Sequence, residues 1–238
     1  MINAILASTS TLYNGSYLDY LLPELSELYK DCTSIVFVPF ARPSGISHDD
    51  YTAKVYNAFE KINKKIFGLH TFSNPAQALE EAEGIFTGGG NTFLLVKQLY
   101  DHRLMKVLQQ VVANGTPYLG TSAGSNIAGF TMQTTNDMPI VYPPSFETLG
   151  LVPFTINAHY LDPDPNSTHN GETRETRIKE YHCFNDTPVI GLREGSWLEV
   201  KPNEVNLKGN LTARLFKANE TPTEVDSNTN LLDLVSIK

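Results

Sequence analysis

The chain has 238 residues, of which 41% are hydrophobic and 18% charged, enough apolar material for one sizeable core. Its formal charge of −8, with no basic cluster, argues against a nucleic-acid surface, which needs cationic side chains to meet phosphates. Two cysteines without metal-ligand spacing exclude a disulfide framework, and no apolar run has the length of a membrane span. We therefore expect one domain over residues 1–238 in a reducing cytoplasm, with no membrane or nucleic-acid partner, no metal and no cofactor. The apolar residues 1–8 are too few, and lack the basic flank, for a signal peptide.

Residues 2–7 read as a short buried strand closed by Ser8-Thr9-Ser10-Thr11. Leu18, Leu21, Leu22, Leu25 and Leu28 recur at helical spacing, with Pro23 in or near that helix. Residues 34–40 are a continuous β-branched and aromatic run, as in a strand covered on both faces. Asp49 and Asp50 open a helix with Val55, Phe59 and Ile62 on its core face, and residues 65–69 form another short strand. Asn74 and Pro75 start a helix over 76–83, as an N-cap followed by proline at the first helical position. Residues 84–87 form a strand that runs into Gly88-Gly89-Gly90-Asn91, and helices over 92–100 and 103–113 follow. The next strand reaches Gly120. Alternating strands and helices predict an α/β fold with a central, mostly parallel sheet flanked by helices, flavodoxin-like in kind. Such sheets bind ligands at the carboxyl ends of their strands, where Gly88-Gly89-Gly90 and Ser122 both fall.

The second half changes character. Residues 131–144 are polar and punctuated, 151–156 read as a strand with His159 just past its end, and 161–171 form a Pro/Asn-rich loop. A helix over 173–181 and a strand over 188–192 follow. Residues 197–200, 205–207 and 213–216 read as an antiparallel tail of short strands, and the pattern beyond Lys217 assigns nothing.

Gly120-Thr121-Ser122-Ala123-Gly124 fits the G-x-S-x-G pattern of a nucleophile elbow. A serine at the tip of a tight strand-to-helix turn sits in a strained backbone, so its neighbours two residues away must lack bulk. The pentapeptide equally suits a turn that only holds an anion. A serine nucleophile needs a base, and the base needs an orienting partner. His48, His70, His102 and His182 read as solvated side chains; His169 is a loop residue for which a substrate role is open. His159 follows a buried strand at its carboxyl end, the edge where Ser122 also falls. Two carboxylates compete to orient it: Glu194, at the end of the 188–192 strand, and Asp137, in the Asn136-Asp137-Met138-Pro139 loop. The backbone N–H groups of Gly89, Gly90 and Ala123 are candidates for an oxyanion hole. The alternative for the glycines is a flexible turn, or a phosphate loop lacking the lysine of a P-loop.

Six blocks then carry a resemblance. They are Thr87-Gly88-Gly89-Gly90-Asn91-Thr92-Phe93, Ser122-Ala123-Gly124, Thr134-Thr135-Asn136-Asp137-Met138-Pro139-Ile140-Val141, Asn157-Ala158-His159, Gly171-Glu172-Thr173-Arg174-Glu175 and Gly191-Leu192-Arg193-Glu194-Gly195-Ser196-Trp197. Together, and in this order up to Lys217, they resemble the peptidase E family of α-aspartyl dipeptidases, serine peptidases related to cyanophycinase. The resemblance implies cleavage of small acidic dipeptides with an N-terminal aspartate, and a fold akin to class I glutamine amidotransferases with serine in place of their cysteine. It implies Ser122 as nucleophile, His159 as base and Glu194 as third member, and puts Asp137 at a position important to activity. An aspartyl side chain asks for a bidentate cation, and Arg174 is the best-placed arginine in these blocks; a surface ion pair with a nearby glutamate is its competing reading. Asp137 would meet the free amine or support the site loop, with Asn91 and Asn136 beside the substrate. Thr121 stands where some relatives carry a bulkier residue. A serine hydrolase of another acidic amide, cyanophycin-like or isoaspartyl, and a catalytically silent anion-binding module remain the alternatives, and monomer and homodimer are both open.

Overall fold

The structure, a computed structural model, describes residues 1–164, 166, 168 and 171–235; His169 lies outside the described residues. In chain order the elements are β1 (Ala4–Ala7), α1 (Leu22–Leu28), β2 (Ser34–Val38), α2 (His48–Phe59), β3 (Lys65–Gly68), α3 (Pro75–Glu80), β4 (Ile85–Thr87), α4 (Thr92–Asp101), α5 (Met105–Ala113), β5 (Tyr118–Thr121) and α6 (Ala123–Asn126). They continue with β6 (Thr155–Ala158), α7 (Arg174–Tyr181), β7 (Val189–Leu192), β8 (Trp197–Lys201), β9 (Glu204–Lys208), β10 (Ala213–Phe216), β11 (Thr223–Val225) and α8 (Leu232–Val235).

The strands divide over two sheets. The larger runs β3-β2-β4-β5-β1-β8-β9, parallel from β3 to β1 and antiparallel across β8 and β9. The smaller runs β11-β10-β7-β6, with β6 and β7 parallel. The tail strands expected after residue 197 therefore complete both sheets rather than form one of their own. Alternating side chains bury both faces of the larger sheet. Ile5, Ala7, Ile35, Phe37, Phe86 and Leu119 pack with α1 and α2. Ala4, Leu6, Val36, Val38, Ile85 and Tyr118 join the cluster that holds α3, α4, α5 and the inner residues of the smaller sheet. Leu95, Leu99 and Leu108 are fully buried there, each contributing about 1.5–3 kcal/mol relative to exposure.

Local chemistry explains where the elements begin and end. Pro39 stops β2 at Val38, because proline has no N–H for the ladder. Pro23 sits in the first turn of α1, behind a separate 3-10 turn over Asp19–Leu21. Ser47 caps α2 by accepting from the Asp50 N–H at 3.0 Å, and Asn74 caps α3 by accepting from Gln77 at 3.3 Å. The strand expected over 151–156 is corrected to Thr155–Ala158. Pro153 interrupts that apolar run, and the N–H groups of Leu151 and Val152 bond the Ala128 carbonyl at 2.8 and 3.3 Å instead of a strand. As a result Asn157 and Ala158 lie inside β6, and His159 is the first residue beyond it. No helix among the described residues is long and apolar enough to cross a membrane.

Candidate active site

Ser122 follows β5 at φ 53 and ψ −110, a conformation costly for a non-glycine residue, by about 1–3 kcal/mol. Its surroundings over-determine that geometry. The Ser122 N–H donates to the Ala7 carbonyl at 3.1 Å, and the Ser122 carbonyl accepts from Ser125 and Asn126, both at 2.9 Å. A Cβ on Gly124 would stand 2.2 Å from the Thr87 carbonyl oxygen, and one on Gly89 would stand 2.9 Å from the Ser122 Cβ. Only glycine permits these approaches. The N–H groups of Gly89, Gly90 and Ala123 donate to no group among the described residues, whereas the Gly88 N–H is taken by the Val38 carbonyl at 3.2 Å.

The Ser122 Oγ lies 2.9 Å from the His159 Nε2, and the His159 Nδ1 lies 2.5 Å from the Glu194 Oε1. The two partners leave adjacent strands, β6 and β7, whose ladder pairs Ala158 with Leu192. His159, at φ 54, donates its N–H to the Ser8 Oγ at 2.9 Å, and that hydroxyl donates to the Leu192 carbonyl at 2.7 Å. Imidazole and carboxylate are partly exposed, at 37% and 48%.

Asp137 stands elsewhere. Its Oδ2 accepts from the Thr92 N–H at 2.7 Å, the Thr92 hydroxyl at 2.6 Å and the Thr135 hydroxyl at 3.1 Å, at the amino end of α4. The buried Asn126 extends this network: its Nδ2 donates to both threonine hydroxyls and its Oδ1 accepts from the Ala158 N–H at 3.2 Å. Asn91 and Asn136, expected beside the substrate, both bond the protein here. Asn91 caps α4, its Oδ1 accepting from Leu94 at 3.0 Å while its Nδ2 donates to the Met138 carbonyl at 2.8 Å. Asn136 donates to the Ala158 carbonyl at 2.9 Å and exchanges amide bonds with Asn157 at 3.2 and 2.9 Å. A loop residue with both an amide donor and acceptor satisfies exposed backbone ends first, and that need decides both positions.

Arg174 opens α7 and makes no ion pair or hydrogen bond among the described residues, while Glu175 pairs with Lys179 at 2.7 Å and Glu172 with Arg177 at 3.8 Å. The surface pair with a glutamate, the competing reading for Arg174, is absent among the described residues. Burial, with Arg177 nearby, lowers the Arg174 pKa, and the opposite charge of Asp137 works against that shift. The histidines read as solvated divide differently: His70, 17% exposed, bonds Asp49 at 2.8 Å and meets the His48 ring edge-on at 5.2 Å.

Three residues of this region carried no sequence signal beyond their type: Ser8, Asn126 and Arg193. Arg193 precedes Glu194 and forks onto Asp162 at 2.7 and 2.8 Å and onto Glu224 at 2.9 and 3.0 Å, with its guanidinium over the Tyr160 ring. These bonds hold the Glu224 pKa down at about 2. No group of three or more His, Cys, Asp and Glu side chains among the described residues is arranged to hold a metal ion. A cavity of about 910 Å³ opens at the other end of the strands, beside Met1, Asn3, Glu24 and Lys201, and touches neither Ser122 nor His159.

Residues 4–208 match the model of Peptidase family S51. Peptidase E of Streptomyces coelicolor is 46% identical over 237 residues, covering 100% of this chain and 96% of that one. A Drosophila melanogaster protein named "Probable alpha-aspartyl dipeptidase" is 45% identical over 219 residues, 91% of this chain and 90% of its own. In fold, the chain is similar to the crystal structure of a peptidase from an acI-B1 Actinobacterium, with a TM-score of 0.70 at 16% identity over 97% of both chains.

Proposed function

Because this chain belongs to peptidase family S51 and is a serine-type dipeptidase, we propose that it hydrolyses dipeptides with an N-terminal aspartate through Ser122, His159 and Glu194. The observation that carries the reading is the continuous hydrogen-bonded line from the Ser122 Oγ through both imidazole nitrogens to the Glu194 carboxylate. With Nδ1–H donating to Glu194, Nε2 is left as the acceptor for the serine proton. Ser122 attacks the peptide carbonyl and passes its proton to Nε2. Glu194 stabilises the imidazolium that forms. The N–H groups of Gly89, Gly90 and Ala123 are free to receive the oxyanion. Nε2 then protonates the departing amine, leaving an acyl ester on Ser122, and a water enters by the same route in reverse.

Arg174 and Asp137 support the choice of substrate. An N-terminal aspartyl residue carries an ammonium and a carboxylate a few bonds apart, and here Arg174, with no ion pair among the described residues, feels the opposite charge of Asp137. Arg174 binds the side-chain carboxylate. Asp137, with its Oδ2 fixed by three donors and no donor on its Oδ1 among the described residues, holds the site loop and attracts the ammonium. Asn91 and Asn136 flank Asp137 in this arrangement, with their amides already bonded to the protein. A cytoplasmic location fits the two free thiols, Cys32 buried and Cys183 exposed.

A dipeptide panel tests the proposal: Asp-Leu, Glu-Leu, Asn-Leu, Ala-Leu, N-acetyl-Asp-Leu and β-Asp-Leu, with fluorophosphonate labelling of Ser122 alongside. Asp-Leu should be cleaved fastest, and blocking its amine or neutralising its side chain should cost most of kcat/KM. Preference for β-Asp-Leu would move the activity to isoaspartyl amides. A protein that neither hydrolyses the panel nor takes the label would be a silent binding module.

A further inference from the structure

We propose that Ser8 is a positioning residue for the His159–Glu194 pair, its hydroxyl setting where the imidazole stands relative to Ser122. The inference rests on the roles given above to Ser122, His159 and Glu194. Ser8 is the first residue past β1 and is fully buried. Its Oγ makes two bonds, and both end on the segments that carry the pair. It accepts from the His159 N–H at 2.9 Å and donates to the Leu192 carbonyl, two residues before Glu194, at 2.7 Å.

Three features make this more than a satisfied hydroxyl. His159 has φ 54, outside the extended backbone that a strand exit usually keeps. Its N–H is met by Ser8 and not by the neighbouring strand, so the unusual backbone angle and the bond to Ser8 occur together. Second, the Leu192 carbonyl also accepts from the Tyr160 N–H at 3.1 Å, which makes it the last rung between β6 and β7 before His159 and Glu194 diverge. Third, the preceding residue holds the nucleophile. The Ala7 carbonyl accepts from the Ser122 N–H at 3.1 Å and from the Ser125 hydroxyl at 2.7 Å. Two consecutive residues at the end of β1, Ala7 and Ser8, thus carry the nucleophile on one side and the base with its orienter on the other. A single peptide unit sets the separation between them. The hydroxyl has one donor and one acceptor matched to one carbonyl and one N–H, and alanine offers neither.

The test compares Ser8→Ala with Thr148→Val. Thr148 is buried, donates to the Gly129 carbonyl at 2.7 Å and lies outside the site, so it reports the loss of a buried hydroxyl alone. Ser8→Ala should lower kcat about ten- to a hundredfold with KM within about twofold, as expected of a small displacement of reacting groups. Fluorophosphonate labelling of Ser122 should slow in proportion. Thr148→Val should leave kcat and the labelling rate where they are. The proposal is overturned if Ser8→Ala, measured per folded molecule, keeps kcat and labelling rate. It is equally overturned if both variants lose activity in step with thermal stability. Should Ser8→Ala fail to fold, Ser8→Cys retains a longer and weaker donor; slowed labelling there supports the proposal, and normal labelling overturns it. A wild-type enzyme that takes no label overturns the Ser122 reading itself, which is a different outcome.

Discussion

The two sheets hold their functional groups by different means. In the larger sheet β5 has a strand on each side, and the turn that carries Ser122 is shaped by backbone bonds and by glycines that admit no side chain. In the smaller sheet β6 is an edge strand. Its open side is closed by side chains, Asn126 on the Ala158 N–H and Asn136 on the Ala158 carbonyl, while Ser8 bridges the His159 N–H to the Leu192 carbonyl of β7. An unpaired strand edge is usually a liability to be covered. Here the cover is also the seam along which the nucleophile's half meets the base's half. The nucleophile's half should therefore tolerate only changes that leave its backbone alone, and the base's half should degrade by degrees as individual side-chain bonds are removed.

Ser122→Ala should have the largest effect, a loss of roughly 10⁴- to 10⁶-fold in kcat, since it removes the nucleophile outright. The fold should be indifferent, because among the described residues the Ser122 hydroxyl bonds only His159. The chemical-denaturation midpoint, measured beside turnover of Asp-Leu, checks both halves of the statement. Near-normal hydrolysis by Ser122→Ala would remove the basis for treating β5 as the catalytic strand.

The carboxylates separate the two halves next. Glu194→Gln should cost about 10²- to 10⁴-fold in kcat with little change in KM and should slow labelling of Ser122, as the ring loses the partner that fixes its tautomer. Asp137→Asn should act chiefly on KM and leave labelling near normal, because the probe carries no amine. Lost labelling in Asp137→Asn with intact labelling in Glu194→Gln would exchange the two roles.

The contrast between the sheets also marks what the sequence made legible. Up to Phe130, each apolar run is short and bounded by Pro, Gly or Asn, so strand and helix alternate openly, and Gly89, Gly90 and Ser122 fall at strand ends by simple counting. The smaller sheet gives no such pattern. Pro153 lies inside the apolar run that mimics a strand, and displaces β6 toward Asn157 and Ala158, which are not strand-like in composition. The period-2 pattern of β8 states that one face is buried but not that its partner is β1, more than 190 residues earlier. Ser8, Asn126 and Arg193 act through bonds to distant backbone or carboxylates, and a polar residue type alone does not say which distant group it will meet. For Asn91 and Asn136 the place beside the site was legible, but their bonds to the backbone ends around them were not.

Arg174→Met should have a smaller and more selective effect. Loss of a charge-assisted pair costs about 1.5–3 kcal/mol, roughly ten- to a hundredfold in kcat/KM. That loss should fall on Asp-Leu and spare Asn-Leu. Because Arg174 has no protein partner among the described residues, the substitution strands no buried charge. Equal losses on both substrates would return Arg174 to the scaffold and leave the acidic side chain without a receptor on this side of the seam.

The smallest expected effect is on the far side of the base's half, where Arg193 ties the Tyr160–Asp162 exit and β11 together beside Glu194. Glu224 accepts from Arg193, from the Thr212 hydroxyl at 2.5 Å and from Arg214 at 3.0 Å, and its pKa is lowered to about 2 by the Arg193 bonds first. A carboxylate whose folded pKa is depressed adds stability above its unfolded pKa, about 4.3, and loses it as pH falls toward 2. Glu224→Gln lacks that contribution at every pH. The gap in thermal midpoint between wild type and Glu224→Gln should therefore be widest near neutrality, narrow below about pH 4 and close near pH 2. Glu224 is 41% exposed, so solvent screening limits the contribution to about 1 kcal/mol, a shift of roughly 2–4 °C. Hydrogen exchange locates the effect: amides of β7 and β10 should lose protection while those of β4 and β5 keep theirs. Loss spread evenly over both sheets would mean that they open as one unit, and that the side-chain seam at β6 is as stiff as the ladders around Ser122.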